Sequence, residues 1–233
     1  MNKDRIFPEH IVYFTSLRDL DFTFPKPEYI PNEKQIAYLT QRLGISKFPV
    51  LSLNQVHGAD VFVAEDLLEQ GTMLVDGDAI ICQQSKIPIM VRTADCQPIF
   101  VYDAGTDAIG MVHAGWRSTN QNILINTLEL MSKKYGTEFQ DVSVVLGPSL
   151  RKCCYEVGEE FLEYFPKEVE ISNGKRMFDL AQANVRQALD RGVGKDRIFD
   201  IGECTGCLAD KYFSYRREKD AAGRMISVIM KKL

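Results

Sequence analysis

A chain of 233 residues, 45% hydrophobic, 26% charged and 10% aromatic, carries enough apolar surface for one substantial core and is short for two, so a single domain over residues 1–233 is expected. Its 28 Lys and Arg against 32 Asp and Glu leave a formal net charge of −4, which excludes a diffuse basic face and with it nucleic acid as the main partner. The opening MNKDRIFPEHIVYF lacks the apolar core of a signal peptide and no segment approaches the ~20 apolar residues of a membrane span, so a cytoplasmic protein without a membrane partner is expected.

In chain order, residues 20–33, with Pro25, Pro27 and Pro31, read as an irregular surface loop, and 33–43 as a helix. Short β-branched apolar runs bounded by Gly, Pro, Asp or Asn then predict strands at 61–64, 79–82, 87–91, 99–102 and 109–112. The clearest helix spans 120–135, where Leu124, Leu128, Met131 and Tyr135 share one face, and Ser118 with Gln121 stand in the S-x-x-Q relation of a capping box ahead of it. A strand at 142–146, helices at 159–164 and 180–191, and strands at 197–201 and 225–230 complete the chain. The central strands arrive in a cluster before the next helix, so the pattern predicts a mixed-sheet α+β or layered α/β domain rather than a regular βαβ alternation. It shows no internal repeat and no Pro- or Gly-rich linker.

Only three histidines occur, His10, His57 and His113. His57 (in Gln55-Val56-His57-Gly58) precedes a strand, Cys96 (in Thr93-Ala94-Asp95-Cys96-Gln97-Pro98) sits in a turn between two strands, and His113 (in His113-Ala114-Gly115-Trp116-Arg117) ends one. Strand ends are where loops gather and sites are built. Two imidazoles and a thiolate suit a tetrahedral Zn²⁺ with an open fourth position for water, and the same donors accept copper. The alternative is a buried, inert Cys96 with hydrogen-bonded histidines. Arg117 beside a helix start suits an anion, and in Tyr212-Phe213-Ser214-Tyr215-Arg216-Arg217 aromatic faces beside Arg216 could stack a base and hold an anion, or form a strand with a solvated basic end.

Six cysteines, at 82, 96, 153, 154, 204 and 207, are expected as reduced thiols or metal thiolates. In an extended segment Cys153 and Cys154 point to opposite faces, so at most one of them meets any given site. Cys204-Thr205-Gly206-Cys207 has C-x-x-C form but lacks a second such pair and reads as structural. Asp76-Gly77-Asp78 reads as a tight turn.

Together QVHG (55–58), TADCQPI (93–99), HAGWR (113–117), GPSLRKCCYEVG (147–158) and FSYRR (213–217) resemble the laccase-domain family, also labelled multicopper polyphenol oxidase and purine nucleoside phosphorylase. The resemblance implies a four-layer α/β/β/α sandwich and a metal, zinc or else copper, held by His57, Cys96 and His113. It implies purine nucleosides and phosphate as partners: phosphorolysis of adenosine, inosine or methylthioadenosine to free base and ribose 1-phosphate, and adenosine deamination. Arg117, Arg216 and Ser118 at the expected helix start are the phosphate candidates. The family's Arg-x-Gly-Gly turn is missing, since Thr15-Ser16-Leu17-Arg18-Asp19-Leu20 keeps the arginine without the glycines, and Ser118 stands where the family has glycine. Three histidines are too few for a multicopper cluster. The rival readings are a Cys96 nucleophile with His57 or His113 as its base, acting on an amide or a cell-wall precursor, and a non-catalytic accessory protein.

Overall fold

The computed structural model describes residues 6–24, 31–45, 50–71 and 75–232. Its elements are β1 (Ile11–Thr15), α1 (Glu33–Leu43), β2 (Val61–Val63), α2 (Ala64–Glu69), β3 (Ala79–Cys82), β4 (Ile89–Thr93), β5 (Gln97–Asp103) and β6 (Ile109–Ala114). They continue with α3 (Trp116–Asn120), α4 (Ile123–Tyr135), β7 (Val142–Leu146), β8 (Glu156–Val157), α5 (Phe161–Tyr164), β9 (Val169–Ser172) and β10 (Lys175–Phe178). The last are α6 (Leu180–Asp190), β11 (Ile198–Asp200), α7 (Tyr215–Glu218) and β12 (Met225–Lys231).

Period-2 alternation along buried strands sends successive side chains into two different cores. In the six-stranded sheet, ordered β11-β7-β5-β6-β3-β2, Ile99, Val101 and Val112 pack on one side with Ile123, Leu124, Leu128 and Met131 of α4 and Ala181 and Ala188 of α6. Phe100, Tyr102, Met111 and Ile80 face the other way, onto Ile11, Val91 and Ile229 of a three-stranded sheet ordered β1-β12-β4. The outer face of that smaller sheet, with Met90, Ile226 and Val228, is closed by Leu39 and Leu43 of α1 and by Phe22 and Phe24. The result is four layers, α/β/β/α, as the motifs implied. A third sheet, β8-β10-β9, flanks this stack around Phe161, Phe165 and Phe178.

Four local readings change. The 120–135 helix is two: α3 ends at Asn120, the chain turns through Gln121 and Asn122, and α4 starts at Ile123 behind Asn122 in the left-handed region (φ 63°). Ser118 lies inside α3 with its hydroxyl buried and without a partner, so it caps nothing. The capping box belongs to α1, where Asn32 accepts from the Gln35 N–H at 3.1 Å and donates its own N–H to the Gln35 side chain at 2.7 Å. Finally, Leu20, Phe22 and Phe24 pack into the core rather than forming surface loop, while Pro25 and Pro27 fall outside the described residues.

Glu65 on α2 ties the far edge of the large sheet, accepting the N–H groups of Gln83 (2.7 Å) and Gln84 (2.9 Å) and the Tyr135 hydroxyl (2.9 Å). Burial alone would raise its pKa, but these donors outweigh burial and hold the carboxyl below its ordinary value. A depressed carboxylate contributes stability above its unfolded pKa and loses it as pH falls through the folded one. Glu65→Gln is therefore expected to lower the melting temperature at neutral pH and to differ less from the parent below about pH 4, as thermal melts across pH would show.

Candidate metal centre

Strand register brings the site together. β5 and β6 pair antiparallel with Pro98 opposite His113, so Cys96, just before β5, lies at the sheet end where β6 delivers His113. On the other side of β6, β3 pairs Ala79 with Val112, which sets Asp78 beside His113, and the Asp78 carbonyl accepts the His113 N–H at 2.7 Å. The start of β5 is fixed from below: Gln97, fully buried, donates to the Gly147 carbonyl and accepts the Ser149 hydroxyl at 2.8 Å. The ligand atoms of His57, Cys96 and His113 all lie within 4.8 Å of one another, and the two imidazole centroids are 4.9 Å apart.

Asp78 organises two of the three. Its fully buried carboxylate accepts from His113 Nδ1 at 2.7 Å and from the N–H groups of Val56 (3.3 Å), His57 (3.1 Å) and Gly58 (2.6 Å). With Nδ1 carrying the proton toward Asp78, His113 presents Nε2 as the free donor, the arrangement that orients histidine toward a metal. The three N–H bonds also hold His57 in the left-handed region at φ 59°, an uncommon conformation for a residue other than glycine. Burial would raise the Asp78 pKa, and the His113 ring and these amides more than offset it.

The same proximity charges the pair beside it. Burial pushes the Cys96 thiol up, but His113 and His57 overcome that and bring it down to about 6. Burial pushes His113 down, and Cys96 with Asp78 raise it to about 9. The two imidazoles thus favour the Cys96 thiolate, and thiolate with imidazole nitrogen is the donor set of zinc or copper. The residues fit such an ion on their own chemistry.

Space here is tight. A Cβ on Gly115 would lie 2.7 Å from His57 Nδ1 and 3.2 Å from Cys96 Sγ. The Gly115 backbone, at φ −80° and ψ 171°, would otherwise accept alanine. Gly115→Ala is accordingly expected to weaken metal binding by on the order of 10- to 100-fold with little change in melting temperature, measured by chelator competition and thermal melts.

The cluster forms the floor of a cavity of about 640 Å³. Phe24, Trp116, Tyr155 and Tyr215 give it aromatic walls, and Arg117, Arg216, Lys219 and Arg224 bring cationic side chains. Arg117 stacks over Trp116 (4.3 Å to the centroid), and Arg216 over Tyr155 (5.3 Å) while donating to the Glu156 carbonyl at 3.0 Å. Arg224 donates to the carbonyls of Ala222 and Gly223. Among the described residues none of these four cationic side chains forms a salt bridge with a carboxylate, and together they outnumber the Asp95 carboxylate in the lining, so the cavity is positive on balance despite the acidic chain.

Asp95 keeps the walls in place. Held at φ 91°, it accepts the Thr205 hydroxyl on one oxygen (2.7 Å) and the Arg216 N–H on the other (2.6 Å), joining the Cys96 turn to the Thr205 turn and to α7. The structure therefore gathers His57, Cys96, His113, Arg117 and Arg216 around one space. Ser118, buried in α3, does not line it, and with only five residues α3 offers little dipole. His10 lies elsewhere, bonded to Asp107 at 2.8 Å. Asp78, Asp95 and Tyr155 were not anticipated.

Residues 31–232 match the family model described as multi-copper polyphenol oxidoreductase laccase. A purine nucleoside phosphorylase of Clostridium acetobutylicum is 35% identical over 187 residues, covering 77% of this chain and 76% of that protein. An adenosine deaminase from an unknown prokaryotic organism is 31% identical over 209 residues, 83% of this chain and 79% of its own. Among solved structures, a Neisseria meningitidis protein superimposes with a TM-score of 0.81 at 27% identity over 99% of this chain and 98% of that one. YlmD of Geobacillus stearothermophilus superimposes with 0.83 at 23% identity over 97% and 93%, a likeness of fold. In fold and in sequence alike, this chain belongs to the multi-copper polyphenol oxidoreductase laccase family.

Proposed function

We propose that the chain is a metal-dependent purine nucleoside enzyme that cleaves adenosine, inosine or methylthioadenosine with phosphate and deaminates adenosine in the same cavity. The observation that carries this reading is the His57, Cys96 and His113 cluster at the floor of a space with aromatic walls and unpaired cations. Relatives named for purine nucleoside phosphorolysis and adenosine deamination support it.

His57, Cys96 and His113 would hold zinc, or copper through the same donors, and such an ion supplies Lewis-acid charge to the reacting nucleoside. The chain's own residues do the rest. Arg117 and Arg216 bind and orient phosphate, whose oxygen attacks C1′ as the glycosidic bond breaks and the base departs. The aromatic walls exclude water from the purine, and Tyr215, the most exposed of them, offers it a ring to pack against, while Trp116 and Tyr155 back the Arg117 and Arg216 guanidinium groups. Asp78 holds the His113 Nδ1 proton, and Asp95 keeps Arg216 beside the floor.

The test is zinc-loaded protein incubated with adenosine, with and without phosphate. Adenine and ribose 1-phosphate only when phosphate is present are expected from phosphorolysis, and inosine without phosphate from deamination; neither product overturns the proposal. Arg117→Ala is expected to raise KM for phosphate by on the order of 10-fold, the cost of one charge-assisted hydrogen bond, with a smaller effect on KM for the nucleoside. The Cys96 thiol, brought down by two imidazoles within reach of its sulfur, favours one second reading, a thiolate nucleophile with a histidine base. That enzyme would stay fully active after its metal is stripped and would be silenced by alkylation.

A further inference from the structure

Four further cysteines, in two sequence pairs, meet outside the cavity. Cys153 and Cys154 do not lie in an extended segment: they sit in a tight turn, with the Cys154 and Tyr155 N–H groups bonded to the Arg151 carbonyl at 2.8 and 3.0 Å. A turn abolishes the alternation of an extended chain, so both thiols face the same way. Cys204 and Cys207 sit in a second turn, closed by the Leu208 N–H on the Cys204 carbonyl at 3.0 Å. The Ser149–Cys204 bridge lays the two turns side by side.

We propose that Cys153, Cys154, Cys204 and Cys207 form a second metal site, a four-thiolate structural zinc centre separate from His57, Cys96 and His113. All four sulfurs lie within 4.8 Å of one another, with Cys154 and Cys153 at 3.3 and 3.5 Å from Cys207. Tetrahedral Zn–S bonds of about 2.3 Å require sulfurs about 3.8 Å apart, inside that spread. Gly206 permits the approach, since a Cβ there would meet Cys154 Cβ and Sγ at 3.0 Å.

Four protein thiolates close the coordination shell, which assigns the ion to structure and not to catalysis. Its position explains what it would steady: Tyr155, next to Cys154, lines the cavity, and Thr205, between the other pair, donates to Asp95 beside Cys96. Arg217 binds the same turn through the carbonyls of Thr205 and Gly206 at 2.8 and 3.0 Å. Binding takes up the ion and releases the protons of whichever thiols are not yet ionised, with no change of oxidation state.

The experiment is metal analysis of the whole protein, zinc-loaded in reducing buffer and desalted. Wild type is expected to hold two zinc ions per chain, Cys96→Ala one, and the Cys153→Ser, Cys207→Ser double variant one, its two changed residues being exposed. Cobalt substitution gives a readout independent of turnover: the intense thiolate charge-transfer band should keep most of its strength in Cys96→Ala and fall in the double variant to the weak contribution of the single Cys96 thiolate. Zinc content unchanged between wild type and the double variant, whether one ion or two, or recovery of the four thiols as disulfides from the reducing buffer overturns the assignment; a single zinc that the double variant loses leaves it standing and counts instead against metal at His57, Cys96 and His113.

Discussion

If the proposed function holds, replacing Cys96 with alanine is expected to abolish metal binding at the cavity floor and to lower kcat/KM for adenosine by about 10³-fold or more, the loss of several kcal/mol of charge stabilisation. Cys96 is the only anionic donor of its trio and sits between two imidazoles that favour its thiolate. Alanine removes that donor and leaves β5 and β6 paired as before, so the melting temperature of the metal-free protein should hardly move. Elemental analysis with steady-state turnover decides it: a variant that turns over adenosine at the parental rate removes Cys96 from the chemistry. The same assay on chelator-stripped wild type should give a comparable loss, reversed by adding zinc.

Asp78→Ala is expected to produce the largest change in stability. The fully buried carboxylate accepts four hydrogen bonds, and alanine orphans the amides of Val56, His57 and Gly58 together with the His113 ring N–H. Removing one partner of a buried charged network costs about 3 to 5 kcal/mol. For a chain of this length that is a drop of about 6 to 20 °C in melting temperature. Asp78→Asn, close in shape, should keep more of the stability while weakening metal binding by about 10- to 100-fold, because the amide cannot serve the imidazole and all three backbone donors at once. An Asn variant with parental affinity would reduce Asp78 to a turn residue.

The reading of Asp78 as a turn residue shows where the sequence stops speaking. Asp76-Gly77-Asp78 satisfies turn chemistry locally, and nothing within ten residues shows that β3 will lie against β6 and place that carboxylate on His113. A sharper signal was present: an acidic residue directly abutting the continuous apolar run Ala79–Cys82, which becomes a strand buried along its whole length. The strands from 61 to 112 and at 142–146 were legible because buried β-branched runs flanked by turn residues leave few alternatives. β1 was missed although its pattern is apolar, and its partner β12 is separated from it by most of the chain. The β9 and β10 hairpin was missed because its residues are largely polar and exposed.

The helix start failed for a different reason. The S-x-x-Q spacing at Ser118 is real in the sequence, but Gly115 begins α3 earlier and Asn122, in a left-handed conformation that no pattern announces, restarts the helix at Ile123. The cysteine pairs failed through the assumption of an extended segment at 153–154, which the turn replaces. For His57, Cys96 and His113 the spacing suggested a metal only weakly, and the surrounding motifs singled out the trio that the register of β5 and β6 and the Asp78 amide bonds bring to one point.

The outer strands of the six-stranded sheet, β2 and β11, are each three residues long and pair in parallel with longer neighbours. A strand that short offers an approaching chain only one or two free backbone donors and acceptors, too few to nucleate another strand. The sheet thus ends itself at both margins, and concentrated protein should resist edge-to-edge aggregation from either side of it.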